Sequence, residues 1–158
     1  MRKRLITRRY DRVVSSPMLR CLEFAEQWAE SHNLRVEILD ALAERDWGAW
    51  DGLSLESVRQ RWPAELEAYL ADPFGVTPPE AELLVDFRKR VLSAMAKVAS
   101  GGGQRVLVVT HGGVMKLWGQ HVLGMPDRHL FNLGVEYAAL MGCELIGDFI
   151  RLEQLEND

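Results

Sequence analysis

The stretch Arg105-Val106-Leu107-Val108-Val109-Thr110-His111-Gly112-Gly113 decides the fold. Its first six residues form a nearly continuous β-branched and apolar run, which suits a strand buried on both faces of a parallel sheet. The glycine pair breaks the run. Val114, Leu117, Trp118 and Val122 then recur at helical spacing until Gly124 and Pro126, so the stretch predicts a strand, a sharp turn and a helix. Upstream, Leu84, Phe87, Val91, Met95 and Val98 step by three and four towards Gly101-Gly102-Gly103, which predicts an amphipathic helix starting at Glu80. Further back, the β-branched run Asp11 to Ser15 ends at Ser16-Pro17 and leads into Met18, Leu22, Ala25 and Ala29 at helical spacing. Val36 to Leu39 makes a second strand after the turn residues His32 and Asn33.

Between these elements, Glu44 to Gly52 reads as a loop anchored by Trp47 and Trp50. Ser54 caps a helix running to about Arg61, and Pro63 opens another that stops before Asp72-Pro73. At the other end, Ala138 to Leu145 and Phe149 to Leu155 flank Gly147-Asp148, the pattern of an antiparallel hairpin. Alternating strands and helices followed by a hairpin give an α/β fold with a mixed, mainly parallel sheet, in one domain spanning residues 1–158.

Composition narrows the function classes. A hydrophobic share of 47% beside 27% charged residues is that of a globular protein and excludes disorder and collagen-like repeats. A net charge of -4 offers no global attraction to nucleic acid or anionic lipid, and the cluster Arg2, Lys3, Arg4, Arg8 and Arg9 is local. No apolar stretch of signal-peptide length follows that cluster, and no run is long enough to span a membrane. Cys21 and Cys143 are too few for a disulfide framework or a four-ligand zinc site; both are expected to be reduced, small core residues of a cytoplasmic protein. No metal and no cofactor are implied.

In open α/β sheets, ligands bind where strand ends feed helix N-termini, whose free N–H groups and dipole favour anions. Two segments have this design: Ser15-Ser16-Pro17-Met18-Leu19-Arg20 and Thr110-His111-Gly112-Gly113. Ser-Ser-Pro equally fits ordinary capping with proline at the first helical position, and His111 fits a satisfied strand end. Arg20, however, is a cation at the disfavoured end of a helix dipole, and a bound anion accounts for it. Gly112 and Gly113 let the backbone approach a ligand closely.

The order Ser-Ser-Pro-x-x-Arg (15–20), Glu-x-x-x-Gly-x-x-x-Gly (44–52) and Val-Val-Thr-His-Gly-Gly (108–113) resembles the histidine phosphatase superfamily, at the branch holding phosphoglycerate mutases and α-ribazole phosphatases. The resemblance extends to the link Thr77-Pro78-Pro79 and to Val135-Glu136-Tyr137-Ala138-Ala139. It implies a three-layer α/β/α sandwich and transfer of a phosphoryl group to a histidine in an Arg-His-Gly motif. It also implies a small phosphorylated substrate, or phosphate, as the partner. By the same resemblance Arg20, Ser16, His111 and Gly112 hold the phosphate, His111 stabilises charge on the transferring oxygens, and Glu44 protonates the leaving alkoxide. For that role Glu44 is expected to hold a proton near neutrality through burial among Trp47 and Trp50.

The sequence departs from the pattern in two places. No Arg-His-Gly precedes Ser15, and Met1 to Tyr10 resembles the last turns of the helix that follows that motif, so the first strand is expected to be missing from the domain. Loss of that central strand leaves neighbouring edges unpaired, to be closed by a partner chain, rearranged strands or a longer authentic N-terminus, and a homodimer formed by strand exchange is a further expectation. His32, His121 and His129 do not stand at strand ends beside glycine, so none replaces the nucleophile. The second departure is Leu83, which follows Glu82 where the family commonly has a serine. The expected activity is hydrolysis of a small phosphomonoester, inactive as the chain stands without its nucleophile. A catalytically dead phosphate-binding module and phosphoglycerate mutase-type transfer are the alternatives.

Overall fold

A computed structural model of the chain describes residues 5, 8–147 and 149–157. Among these, strand β1 (Arg12–Ser15) leads to helix α1 (Leu19–Ser31) and strand β2 (Val36–Ile38). Two short 3-10 turns, Asp40–Leu42 and Gly48–Trp50, shape the acidic loop before helices α2 (Leu55–Arg61) and α3 (Pro63–Ala71). The long helix α4 (Leu84–Ser100), strand β3 (Val106–Val109) and helix α5 (Gly112–Val122) follow. The 3-10 turn Asp127–Asn132 then leads to strands β4 (Leu140–Ile146) and β5 (Phe149–Glu156). Ser54 caps α2 as expected, its hydroxyl accepting from Ser57 N at 3.1 Å, and Pro63 opens α3.

β1, β2 and β3 form a parallel sheet in the order β2-β1-β3. Its side chains alternate between two cores. Val14 faces α4 and α5, packing with Phe87, Val91, Val114 and Leu117. Val13, Leu107 and Val109 face α1, packing with Cys21, Ala25 and Trp28. Helices on both faces of a mainly parallel sheet are the expected three-layer α/β/α class. A third cluster of Trp50, Val58, Leu66 and Tyr69, with Trp47 and Phe131 against it, is the cap formed by α2 and α3.

Several expectations need correction. β4 and β5 pair antiparallel as predicted but stand as a sheet of their own, with β3 an edge of the parallel sheet among the described residues. The hairpin rests instead on α5: a Cβ at Gly119 would lie 2.5 Å from Leu133 and 3.1 Å from Met141. Helix α4 begins at Leu84, not Glu80. Glu80 has φ of 62° and Glu82 N donates to Asp46 O at 3.0 Å, so the segment pairs with the acidic loop before the helix can start. Cys21 is buried but Cys143, on the outer half of β4, is exposed. Most of the predicted helix end at residues 1–10, and Asp148 of the hairpin turn, lie outside the described residues.

Phe87, 2% exposed, is among the largest side chains at the α4–α5–sheet junction. Phe87→Ala is expected to cost about 3–5 kcal/mol of stability, read as a lowered urea midpoint at unchanged slope.

Candidate active site

The site is assembled by register. β1 and β3 pair with Ser15 opposite Val109, and Ser16 N extends the ladder by donating to Val109 O at 2.9 Å. Both strands therefore end at the same level, and the next residues meet: Ser16 Oγ lies 2.6 Å from His111 Nε2, with both residues buried. Ser16 is not a helix cap. Helix α1 starts at Leu19 with Met18 in the capping position, so Pro17 sits before the helix and not at its first residue. Met18 N donates to Ser16 Oγ at 3.2 Å, which holds the hydroxyl towards His111.

His111 itself precedes α5, which opens at Gly112; neither α1 nor α5 carries an acidic residue in its first turn. Two helix N-termini with no carboxylate of their own thus flank the Ser16–His111 contact, a setting that favours an anion. Arg20 is exposed on the first turn of α1. Burial, then the nearby positive charges of Arg20 and Arg90, push His111 down to about 4 from 6.5. The imidazole is neutral at pH 7 and hydrogen-bonds without adding to the local positive charge. Cys21 completes the wall: its sulfur lies 3.6 Å from His111 Nε2 and donates to Thr110 O at 3.4 Å, and burial pushes its thiol up, away from the thiolate form.

Glu44 is the predicted acid, and its carboxylate reaches the same place. Oε2 accepts from Gly113 N at 3.0 Å and Oε1 accepts from Arg45 N at 3.0 Å. A Cβ at Gly113 would lie 2.3 Å from Glu44 Oε1, so this position has to be glycine for the carboxylate to dock on α5. Trp47 and Trp50 turn towards Tyr69, with ring centroids 5.9 and 5.7 Å away.

Sequence reasoning missed what holds the acidic loop. Arg90, on α4, spreads its guanidinium over that loop: Nη1 donates to Ala41 O and Ala43 O at 2.9 and 2.8 Å, and Nη2 donates to Glu44 O at 3.1 Å. Glu82 receives Nε and Nη2 at 2.7 and 2.8 Å, a bidentate pair. Arg45 closes the buckle by donating to Glu82 O through Nε and Nη2, at 2.9 and 2.7 Å. A signal existed: Arg90 lies against the apolar stripe of α4, beside Phe87 and Val91. A charge on a buried stripe requires a partner. Thr110 Oγ1 adds a second tie, donating to Leu42 O at 2.9 Å.

Ser16, His111, Gly112 and Glu44 thus converge, and Arg20 stands beside them. His32 instead stacks on Trp28 with centroids 4.2 Å apart, His121 packs against Trp118 on exposed surface, and His129 lies in the 127–132 turn. Among the described residues no group of three or more His, Cys, Asp or Glu is placed to hold a metal ion. No helix among them is long and apolar enough to cross a membrane.

Two outcomes test this geometry. The unfolded chain protonates His111 below about 6.5, whereas the folded chain resists until about 4. The stability this group contributes is full above about 6.5 and is lost as pH falls towards 4. His111→Asn should flatten that part of the stability–pH curve in urea titrations; an unaltered curve would count against a buried neutral imidazole. Glu82→Gln weakens the bidentate pair to Arg90 and should lower stability by roughly 1–3 kcal/mol by differential scanning calorimetry.

The family model described as the histidine phosphatase superfamily (branch 1) matches residues 1–158. A bifunctional protein of Mycobacterium tuberculosis is 33% identical over 146 residues, which are 92% of this chain and 40% of that protein. Phosphoserine phosphatase 1 of Hydrogenobacter thermophilus is 28% identical over 130 residues, 82% of this chain and 62% of that protein. The chain therefore spans 40% and 62% of the length of these relatives, less than two thirds of each. Among solved structures, the native mycobacterial glucosyl-3-phosphoglycerate phosphatase superposes with a TM-score of 0.82 at 25% identity, covering 96% of this chain and 79% of that one. The α-ribazole phosphatase of Shigella flexneri gives 0.80 at 23% identity, covering 94% and 74%.

Proposed function

The chain belongs to the histidine phosphatase superfamily, and on that premise we propose that it binds the phosphoryl group of a small phosphomonoester at Ser16, Arg20, His111 and the first turn of α5, for hydrolysis. One observation carries the reading: a buried neutral imidazole in contact with Ser16, between two helix N-termini free of acidic residues and beside a docked Glu44. The helix N–H groups and Arg20 balance the phosphate charge. In this reading His111 donates a ring N–H to a phosphoryl oxygen, and Glu44 exchanges a proton with the leaving oxygen. Relatives named as phosphatases of phosphoserine, α-ribazole phosphate and glucosyl-3-phosphoglycerate support the reaction class and leave the substrate open.

Hydrolysis also requires a phosphoryl acceptor. The sequence contains no Arg-His-Gly, and no second histidine stands with His111 among the described residues. The acceptor in this proposal is a histidine on a further strand paired to the outer edge of β3, which brings it level with Ser16 and His111. Alone, the chain acts as a phosphate-binding module, the second reading that the lack of a nucleophile favours. We put the reaction in the cytoplasm, a reading that the free thiols of Cys21 and Cys143 support.

Calorimetric titration with inorganic phosphate or orthovanadate should show binding to the chain. Arg20→Ala and His111→Ala should each weaken it by about tenfold or more, the loss of a charge-assisted contact. The chain alone should not turn over 4-nitrophenyl phosphate, and a version carrying an Arg-His-Gly strand ahead of Ser15 should. Failure of phosphate to bind would remove both readings.

A further inference from the structure

A cavity of about 200 Å³ opens beside Gly112 and Gly113, bounded by the acidic loop, α3, α5 and the 127–132 turn. Its walls include Trp47, Tyr69 and Phe131, the last two in edge contact with centroids 5.7 Å apart. A void of roughly 150 Å³ lined by apolar side chains is enough for a benzene ring. Two cations also line it, Arg45 and Lys116.

Arg45 is the unusual one, because it is only 3% exposed and has no carboxylate partner among the described residues. Its guanidinium donates to neutral acceptors, the Glu82 carbonyl and, through Nη1 at 2.8 Å, the Tyr69 hydroxyl. Its charge otherwise rests on ring faces, 4.9 Å from the Trp47 centroid and 5.4 Å from that of Tyr69. The adjoining carboxylates are committed: Glu82 to Arg90, Glu44 to the N–H groups of Arg45 and Gly113. Burial pushes the Tyr69 phenol up, so it does not serve as the counter-ion. Lys116 likewise lies 5.8 Å from the Phe131 ring centroid and forms no ion pair among the described residues. A buried charge without a counter-charge is costly, and an anion entering a cavity so lined would offset that cost.

We propose that this cavity holds the leaving group of the substrate, and that the leaving group is a single planar ring bearing its own anion, such as a carboxylate. The ring stacks among Trp47, Tyr69 and Phe131 while its anion lies between Arg45 and Lys116. Its phosphate end passes Gly112, where an added Cβ would meet nothing nearer than Val135 O at 4.0 Å, towards His111 and the Glu44 carboxylate that fills the space beside Gly113. This rests on the phosphomonoester reading of the neighbouring site and names the substrate class for it.

The test titrates the 158-residue chain with inorganic phosphate, methylphosphonate, phenylphosphonate and 4-phosphonobenzoate, none of which can be hydrolysed at a P–O ester, following tryptophan fluorescence and heat. Phenylphosphonate is expected to bind about threefold or more tightly than methylphosphonate, and 4-phosphonobenzoate about tenfold more tightly again, the scale of one stacked ring and one charge-assisted contact. In Lys116→Met, a change at a half-exposed side chain that leaves Arg45 and its buckle intact, the advantage of 4-phosphonobenzoate over phenylphosphonate should shrink to about threefold or less. If phosphate binds but the two aromatic ligands bind no better than methylphosphonate, the subsite is wrong and the phosphate site stands. If the carboxylate brings no gain over phenylphosphonate, the anion requirement is wrong. If none of the four binds, this inference and the phosphomonoester reading fall together.

Discussion

The parallel pairing of β1 with β3, with Ser15 opposite Val109, is the constraint on which the other features depend. It sends Val13 and Val14 to opposite cores, and it ends the two strands at one level so that Ser16 and His111 touch. A slip of one residue would reverse every side chain of β1 between the cores and carry Ser16 away from the imidazole. The pairing is held by burial on both faces: α1 covers one side, and α4 with α5 covers the other. The same contacts that stabilise the sheet therefore set the geometry of the site.

Around that junction the electrostatics are lopsided. Burial, then the charges of Arg20 and Arg90, push the His111 imidazole down to about 4. The first turns of α1 and α5 add the positive ends of two helix dipoles, and neither contains an acid. Glu44 is held at the edge of this region by Gly113 N, and Arg90 fixes its backbone from behind. Arg45 carries a further buried charge towards the adjoining cavity. Under the proposed function an anionic ligand would offset this positive setting, with the site and the neighbouring cavity acting together.

Much of this was legible from local pattern. The apolar run 105–110 before two glycines reads as a buried strand and turn because only that conformation accommodates β-branched residues on both faces and then releases the chain. Ser54, Pro63 and the Gly101-Gly102-Gly103 stop mark helix ends by chemistry that acts within one turn. The start of α4 was misplaced because residues 80–83 pair with the distant Asp46, a contact that no local pattern contains. Cys143 was misplaced because the usual burial of free cysteine is a property of the residue type and does not say whether its place on β4 is covered.

By itself the sequence determined the order of strands and helices, the α/β class, and the candidacy of Ser16, Arg20, His111 and Gly112 at strand ends that feed helices, since each depends on residues adjacent along the chain; Glu44 entered through the resemblance of three separate motifs to a family. The tertiary structure alone decided that Ser16 meets His111, that Glu44 docks on Gly113, and that Arg90 and Glu82 grip the acidic loop. It also decided that, among the described residues, Arg45 lies buried without a carboxylate partner and the antiparallel hairpin stands apart from the parallel sheet. The physical reason is range. Propensity, capping and periodicity act over a few residues, whereas ion pairs, burial and strand pairing depend on which distant segments the packed core brings within a few ångströms of one another.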